Sequence, residues 1–428
     1  MTAWVTAPAA PATGAPIRWP LLLVLASLAA LAPVATDLYL PGFPAMEDAL
    51  GADASGVQLT LTSFLVGLAF GQLVMGPLSD RYGRRVPLLV SATACVVAGV
   101  VCALAPSLGV LVVARLVQGF AGAGGMVIGR AVIADVVTGR AAARAFTLML
   151  TVGGVAPVLA PLVGGFLAGP VGWRGMLWTV VALCVAMLVG VLLVIDETHP
   201  PSARSTGATS WARDLRAVVA NRAYRGPVAV FACSFAVMMA YISASPFVYQ
   251  NVVGLSEIAY GVAFGVNAGG LIAAGWFTSR LVDRVDPRRL VRIAITVQLL
   301  ATVSFVLLAA LGAPGWTYPV PIFLAVTANG GIMGNAAALA MAEVRPVAGT
   351  GSAVLGFSQF ALGALVSPLV GLGGSGSALV PAVVMACASA LGFTASRVGL
   401  PRPTSAAPAG PGSAQDVASS SSTETATS

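Results

Sequence analysis

Two side chains in this sequence carry charge where almost nothing else does. Asp37 stands in "APVATDLYLPGFP" and Arg115 in "VLVVARLVQG", each within an apolar stretch long enough to cross a bilayer. A lone charge at membrane depth costs several kcal/mol, so such residues face a cavity or find partners there. Arg115 falls about seven residues into its stretch, roughly 10 Å deep at 1.5 Å per residue. Desolvation makes a carboxylate hold its proton more tightly, and a nearby guanidinium loosens that hold again. An acid and an arginine at this depth therefore suit reversible proton loading. Each also has a plainer reading. Asp37 fits a helix-end carboxylate already wetted by bulk water, and Arg115 fits a structural tie that joins helices through its five donors.

A second cluster lies in "GPLSDRYGRR", where Asp80, Arg81, Arg84 and Arg85 crowd into ten residues of a chain that is only 9% charged. Gly76 allows a tight helix end and Gly83 permits a turn. Asp80 is placed to answer the arginines or a neighbouring helix start. The cluster reads as a latch that holds one conformation and breaks in another, or as a bare topology signal.

The elements that position these groups follow from composition. Apolar residues make up 58% of the 428. Soluble domains are about half apolar and about a quarter charged, so much of this surface must face lipid. All 22 basic residues are arginine. The lack of lysine excludes a Walker-type ATP site and a Schiff-base cofactor. His199 is the single histidine and lies beside Pro200 and Pro201 in a polar loop, so no multi-histidine metal site exists. Cys95, Cys102, Cys184, Cys233 and Cys387 all fall inside apolar runs without a CxxC pattern, and read as buried small hydrophobes. No cofactor and no metal is expected. The net charge of +7 falls in short loops, where it sets topology and does not bind nucleic acid.

Twelve apolar spans are expected, at about 20–41, 57–78, 86–106, 108–130, 145–168, 174–195, 227–250, 257–279, 290–311, 317–341, 350–373 and 376–397. With the N-terminus in the cytoplasm, every arginine except Arg115 and Arg174 falls on the cytoplasmic side, while Glu47, Asp48, Asp53 and Glu257 fall outside. Both termini are thus expected in the cytoplasm of a multi-pass membrane protein. Residues 1–19 are rich in Ala, Pro and Thr, lack a signal-peptide pattern and are expected to be disordered, like the tail 399–428. Between the spans lies a cytoplasmic linker, 196–226, in which "SWARDLRAVV" has the pattern of a short amphipathic helix on the membrane.

Three echoes suggest an internal repeat. "YLPGFP" at Tyr39 recurs as "YISASP" at Tyr241, offset by 202. "DRYGRR" is echoed by "DRVDPRR" at an offset of 203, and "APLVGG" by "SPLVGL" at 207. The reading is all-α and membrane-integral, with two six-helix bundles, 20–195 and 227–398, related by a pseudo-twofold axis. Transporters built from such repeats carry their site between the halves near the midplane.

"GPLSDRYGRR" resembles the inner-loop motif of the major facilitator superfamily. "RLVQG" (Arg115–Gly119) and "APVLAPLVGG" (Ala156–Gly165) resemble the fourth- and fifth-span motifs of its drug/proton antiporters. "TDLYLPGFPAM", "GMVIGRAVIAD", "SASPFV" and "LGFSQFALGAL" resemble the Bcr/CflA branch of drug-resistance exporters. The likeness covers about residues 20–398. Two departures stand out: Ala156 and Ala160 replace the usual glycines, and Asp286-Pro287 replaces the glycine of the second inner loop.

The resemblance implies a proton-coupled antiporter exporting small amphipathic drugs by alternating access, with membrane lipid around it, working as a monomer and not as an enzyme. It implies that Asp37 and Arg115 couple protons and that Gly76, Asp80, Arg81, Gly83, Arg84 and Arg85 form the latch. Pro157, Pro161, Gly164 and Gly165 would form a fifth-span hinge that seals against leak. The same residues also fit ordinary close packing of membrane helices. Tyr39, Gln118, Met126, Tyr241, Phe247, Asn267, Asn335 and Gln359 are candidate cavity walls, each open to a packing role instead. A symporter importing a small organic solute is the rival reading; "APLVGG" and the scarcity of sugar-binding polar residues in the spans speak against it.

Overall fold

The structure, a computed structural model, describes residues 18–137, 139–200, 208–344 and 347–400. The terminal stretches expected to be disordered lie almost wholly outside the described residues, as do 201–207 of the linker.

Helices account for the fold. They are α1 (Trp19–Asp37), α2 (Phe43–Leu50), α3 (Ala54–Tyr82), α4 (Arg85–Ala103), α5 (Leu108–Val136) and α6 (Gly139–Val194), then α7 (Ala208–Ala220) in the linker. After it come α8 (Arg222–Phe247), α9 (Glu257–Leu281), α10 (Pro287–Ala310), α11 (Pro319–Ala342), α12 (Ala348–Val366) and α13 (Leu379–Gly399). Eleven apolar segments among the described residues are long enough to cross a membrane, and one of them, Val155–Val194, is 40 residues long. It spans both limbs of α6, which break at Gly172 with φ 64° and ψ −178°. Glycine tolerates that conformation because it has no Cβ. The 56-residue α6 would measure about 84 Å if straight, so it makes two crossings of a bilayer core roughly 30 Å thick. The crossings are therefore the expected twelve.

Local chemistry sets the boundaries. The Asp53 carboxylate accepts from Gly56 N at 2.7 Å and caps α3, while Ser256 accepts from Ala259 N and caps α9. Asn221 accepts from Ala223 N and Tyr224 N, so α8 begins five residues before the expected 227. Asp286 accepts from Arg288 N at 2.7 Å with Pro287 at the first helical position, so the Asp-Pro departure serves as a helix start. The first span does not run unbroken to 41. Proline lacks a donor, and at Pro41 and Pro44 the chain passes through a 3-10 turn, Leu40–Gly42, into α2. Likewise Pro368 turns the end of the eleventh span into a 3-10 segment, Ser367–Gly373.

Small residues bring the helices together, as expected where lipid removes the hydrophobic drive between them. A Cβ on Gly67 would lie 2.2 Å from Leu116 O, and one on Gly119 2.0 Å from Phe64 O, which locks α3 against α5. The second half repeats the device: a Cβ on Gly330 of α11 would lie 2.0 Å from Leu271 O of α9. Between the halves α3 packs on α12 and α6 on α9. The outer surface is apolar, with Phe166, Leu193, Trp276, Leu311 and Leu391 exposed, as lipid contact requires. Cys387 is exposed on α13 and so departs from the expectation that all five cysteines are buried; an outward-facing thiol is tolerated there because its neighbour is lipid.

Candidate functional site

Arg115 is fully buried, and the α3–α5 contact is what places it. Its guanidinium lies 4.3 Å from the Phe64 ring centre and 4.7 Å from that of Tyr39. Cation–π contacts of this kind are worth about 2 kcal/mol when desolvated. Nη1 donates to Gln118 Oε1 at 2.8 Å, and Nη2 to the Ala35 carbonyl at 2.8 Å. Tyr39 in turn sits 3.0 Å from the Thr60 hydroxyl. Arg115 thus ties α5, α3 and α1 together through neutral acceptors.

Asp37 ends α1 and is 2% exposed, so bulk water does not wet it in this conformation. Its Oδ1 has no hydrogen-bond partner, and Thr36 touches the carboxylate. The two ion pairs among the described residues both belong to Arg84, so Asp37 and Arg115 are not one. Asp37 instead lies within electrostatic reach of Tyr241 and Tyr260 of the second half. Those tyrosines belong to a hydroxyl and amide cluster. Asn267 Nδ2 donates to Tyr241 Oη at 2.9 Å and Tyr249 Oη at 3.0 Å, and Ser245 Oγ lies 3.0 Å from Tyr260 Oη.

Within the first half, a Cβ on Gly164 would lie 2.0 Å from the carbonyl oxygen of Leu38, the residue after Asp37, and beside this contact the two halves interlock. One on Gly165 would meet Glu257 O at 2.6 Å, and one on Gly261 would meet Pro161 O at 2.9 Å. Gln58 donates to Ser243 O at 3.1 Å, and Gln250 to Pro41 O at 3.2 Å. The Ser243 and Ser367 hydroxyls are hydrogen-bonded, and the Phe43 and Phe247 rings meet with centres 6.1 Å apart. This end of the bundle is closed by backbone-to-backbone approach at glycine.

At the opposite end the arginine cluster is anchored within the first half. Arg84 pairs with Asp80 through Nη1 and with Asp135 through Nε at 2.9 Å, and also donates to Ser79 Oγ. The Arg84 and Arg85 backbone N–H groups donate to Glu197, and Arg85 reaches the Leu192 carbonyl. Burial alone would lower the Arg84 pKa, but Asp135 and Asp80 hold it above the ordinary value, so the guanidinium stays charged. Arg81 stacks on Tyr82, and Gly83 adopts φ 88°. Gly76 has room for a side chain. The echo loop at Asp283 makes no comparable ion pair among the described residues.

The structure gathers Tyr39 and Gln118 with Arg115, and Tyr241 with Asn267, while Phe247 meets Phe43 across the halves. Met126 is half-buried beside Gln72, Asn335 bonds back to Gly331 O on its own helix, and Gln359 is half-buried on α12. Pro157 and Pro161 lie in the continuous first limb of α6, which approaches α9 at Pro161. Sequence reasoning missed Tyr249, Tyr260 and Ser245, because a tyrosine in an apolar span usually signals packing. It also gave no role to Asp135 or Glu197, although Asp135 closes the quoted "GMVIGRAVIAD". An apolar groove of about 550 Å³ between α4 and α5 is lined by Val97, Val101, Val110, Val113 and Val117, all exposed, so it faces lipid and not this site.

Twelve apolar crossings in two packed halves, with a buried acid between them, define a multi-pass membrane transporter. The description "Major Facilitator Superfamily" matches residues 25–368, and the chain belongs to that family. It is 33% identical over 391 residues to a Bacillus subtilis protein named "Uncharacterized MFS-type transporter YdgK", covering 89% of this chain and 97% of the relative. A Haemophilus influenzae "Bicyclomycin resistance protein homolog" is 29% identical over 350 residues, covering 82% and 88%. An Escherichia coli "Multidrug resistance protein MdtL" is 26% identical over 283 residues, covering 66% and 71%. Among solved structures, a D-xylose-proton symporter superposes with a TM-score of 0.72 at 16% identity, covering 89% and 96%, which establishes the fold alone.

Proposed function

We propose that this protein is a proton-coupled exporter of small amphipathic compounds, antibiotics among them, in the bacterial plasma membrane. Both termini lie in the cytoplasm, so the Asp37 end faces outward and the Arg84 end inward. The bundles 20–195 and 227–398 rock about the interface between them, joined by the linker 196–226, in a single chain. Names of relatives that speak of bicyclomycin and multidrug resistance support the direction and cargo class.

One observation carries the mechanism: a carboxylate with an unpartnered oxygen, buried between the two halves under a seal made of both. A buried charge costs several kcal/mol, so opening the seal changes how firmly Asp37 holds its proton. Asp37 accepts a proton from outside as cargo leaves, and gives it up inward as new cargo enters. Arg115 holds the α1 end in register while this happens. Tyr39, Gln118, Met126, Tyr241, Phe247, Asn267, Asn335 and Gln359 offer the surfaces for cargo. The fifth-span residues Pro157, Pro161, Gly164 and Gly165 keep the closed state tight, and the cluster Gly76, Asp80, Arg81, Gly83, Arg84 and Arg85 steadies the inner end. One proton moving through 100 mV supplies about 2.3 kcal/mol and one pH unit about 1.4. Together these sustain a gradient of roughly a few hundredfold for a neutral solute.

The test is uptake of bicyclomycin and chloramphenicol into everted membrane vesicles energised by respiration. Accumulation that an uncoupler abolishes is expected. Uptake into right-side-out vesicles instead would identify an importer and overturn the reading.

A further inference from the structure

Arg130 carries a charge that the mechanism above does not use. It lies on α5, five residues before Asp135, hence about 7.5 Å from the level of the arginine cluster. It is fifteen residues beyond Arg115, which at about 100° per residue puts both guanidinia on nearly the same side of the helix. Its contacts span the two halves. Nε donates to the Met126 carbonyl at 3.1 Å, Nη2 to Gln72 Oε1 at 3.2 Å on α3, and Nη1 to Ser352 Oγ at 3.4 Å on α12. Gly356 of α12 sits against the same amide, since a Cβ there would lie 3.0 Å from Gln72 Oε1.

Every acceptor is neutral, and the contacts are long for a guanidinium. Charge-assisted bonds are ordinarily about 2.7–2.9 Å. Both ion pairs among the described residues belong to Arg84, so Arg130 has no carboxylate at salt-bridge distance there. Of its five N–H donors, three are engaged by neutral groups and two remain. The guanidinium fork matches a planar two-oxygen anion. Arg130 is half-buried, as are Met126, Ser352 and Gly356 around it, so the guanidinium is not fully enclosed where α3, α5 and α12 meet.

We propose that Arg130, with Gln72 and Ser352, is a binding site for the anionic group of the cargo, and that carboxylated or zwitterionic amphipaths are the preferred substrates. This rests on the reading of the interface between the halves as the cargo path. The carboxylate docks in the Arg130 fork at the inner end while the apolar body of the cargo lies toward Asp37. Gln72 and Ser352 complete the polar surround with one amide and one hydroxyl.

Matched probes test it on purified full-length protein in detergent, with no proton gradient. Naphthoate is compared with naphthamide, and biphenyl carboxylate with its carboxamide, by thermal stabilisation. The wild type is expected to bind each acid about tenfold or more tightly than its amide. Arg130→Gln is expected to abolish that preference while leaving the weaker amide binding, and Arg130→Lys to restore part of it. Equal binding of acid and amide by the wild type, or binding of neither, overturns the proposal without any variant. Equal loss of both probes in Arg130→Gln, at unchanged melting temperature of the free protein, would show that Arg130 supports binding without reading the anionic group, and would also overturn it. Because binding needs no gradient, an acid preference without proton-driven efflux would sink the exporter reading alone.

Discussion

Replacing Gly165 with alanine tests the seal. The added Cβ would sit 2.6 Å from the Glu257 carbonyl oxygen and 3.4 Å from Ile258 Cα, both in the other half. Carbon and oxygen meet comfortably at about 3.3 Å, so the first limb of α6 and the start of α9 must part by about 0.7 Å. Both sides are backbone in packed helices, and neither can swing away as a side chain would. Overpacking of this kind costs about 1–3 kcal/mol, which lowers the population of the sealed state by about 5- to 150-fold relative to any state in which these helices separate. The assay is thiol labelling. In a background with the five native cysteines replaced, Ser243→Cys puts a thiol under the seal, where the native serine is fully buried. Gly165→Ala is expected to speed its reaction with a membrane-impermeant maleimide by about fivefold or more. Gly153→Ala is the control, because a Cβ there meets nothing within 4 Å and labelling should not change. Unchanged labelling in Gly165→Ala, with melting temperature also unchanged, would refute the idea that close approach at this glycine closes the Asp37 end.

Arg84→Ala strands Asp135 and Asp80 and removes the tie between α3 and α5; a loss of about 1.5–3 kcal/mol is expected, read as a lower melting temperature in detergent. Gly83→Ala must hold φ 88°, which costs about 1 kcal/mol or more, and should lower the melting temperature while leaving Ser243→Cys labelling unaltered. Asn267→Leu removes the donor to both Tyr241 and Tyr249, and about 1–3 kcal/mol of thermal stability should go with it.

Much of this architecture was readable before any coordinates, for physical reasons. Twenty-residue apolar runs and three echoes in register determine crossings and repeat, and the described helices follow that plan. What escaped depended on contacts far apart in the chain. Asp37 and Arg115 are both buried at one end, as their depth implied. Yet Arg115 turns to Ala35 O and Gln118 while Asp37 keeps an unpartnered oxygen, and spacing alone cannot reveal such facing. The arginine cluster is likewise half visible: the arginines are local, but their anchors Asp135 and Glu197 are 51 and 113 residues away from Arg84. The break of span 1 at Pro41 was visible in principle, since two prolines in six residues forbid a continuous helix.

The account stands or falls on Asp37 as the group that exchanges its proton for cargo. The direct measurement is the concentration ratio of a transported drug across proteoliposomes under an imposed pH step, in wild type and Asp37→Asn. Wild type should accumulate drug against its gradient, while Asp37→Asn, unable to titrate, should carry it only to equal concentrations on the two sides. Equal accumulation by the two proteins would contradict the account.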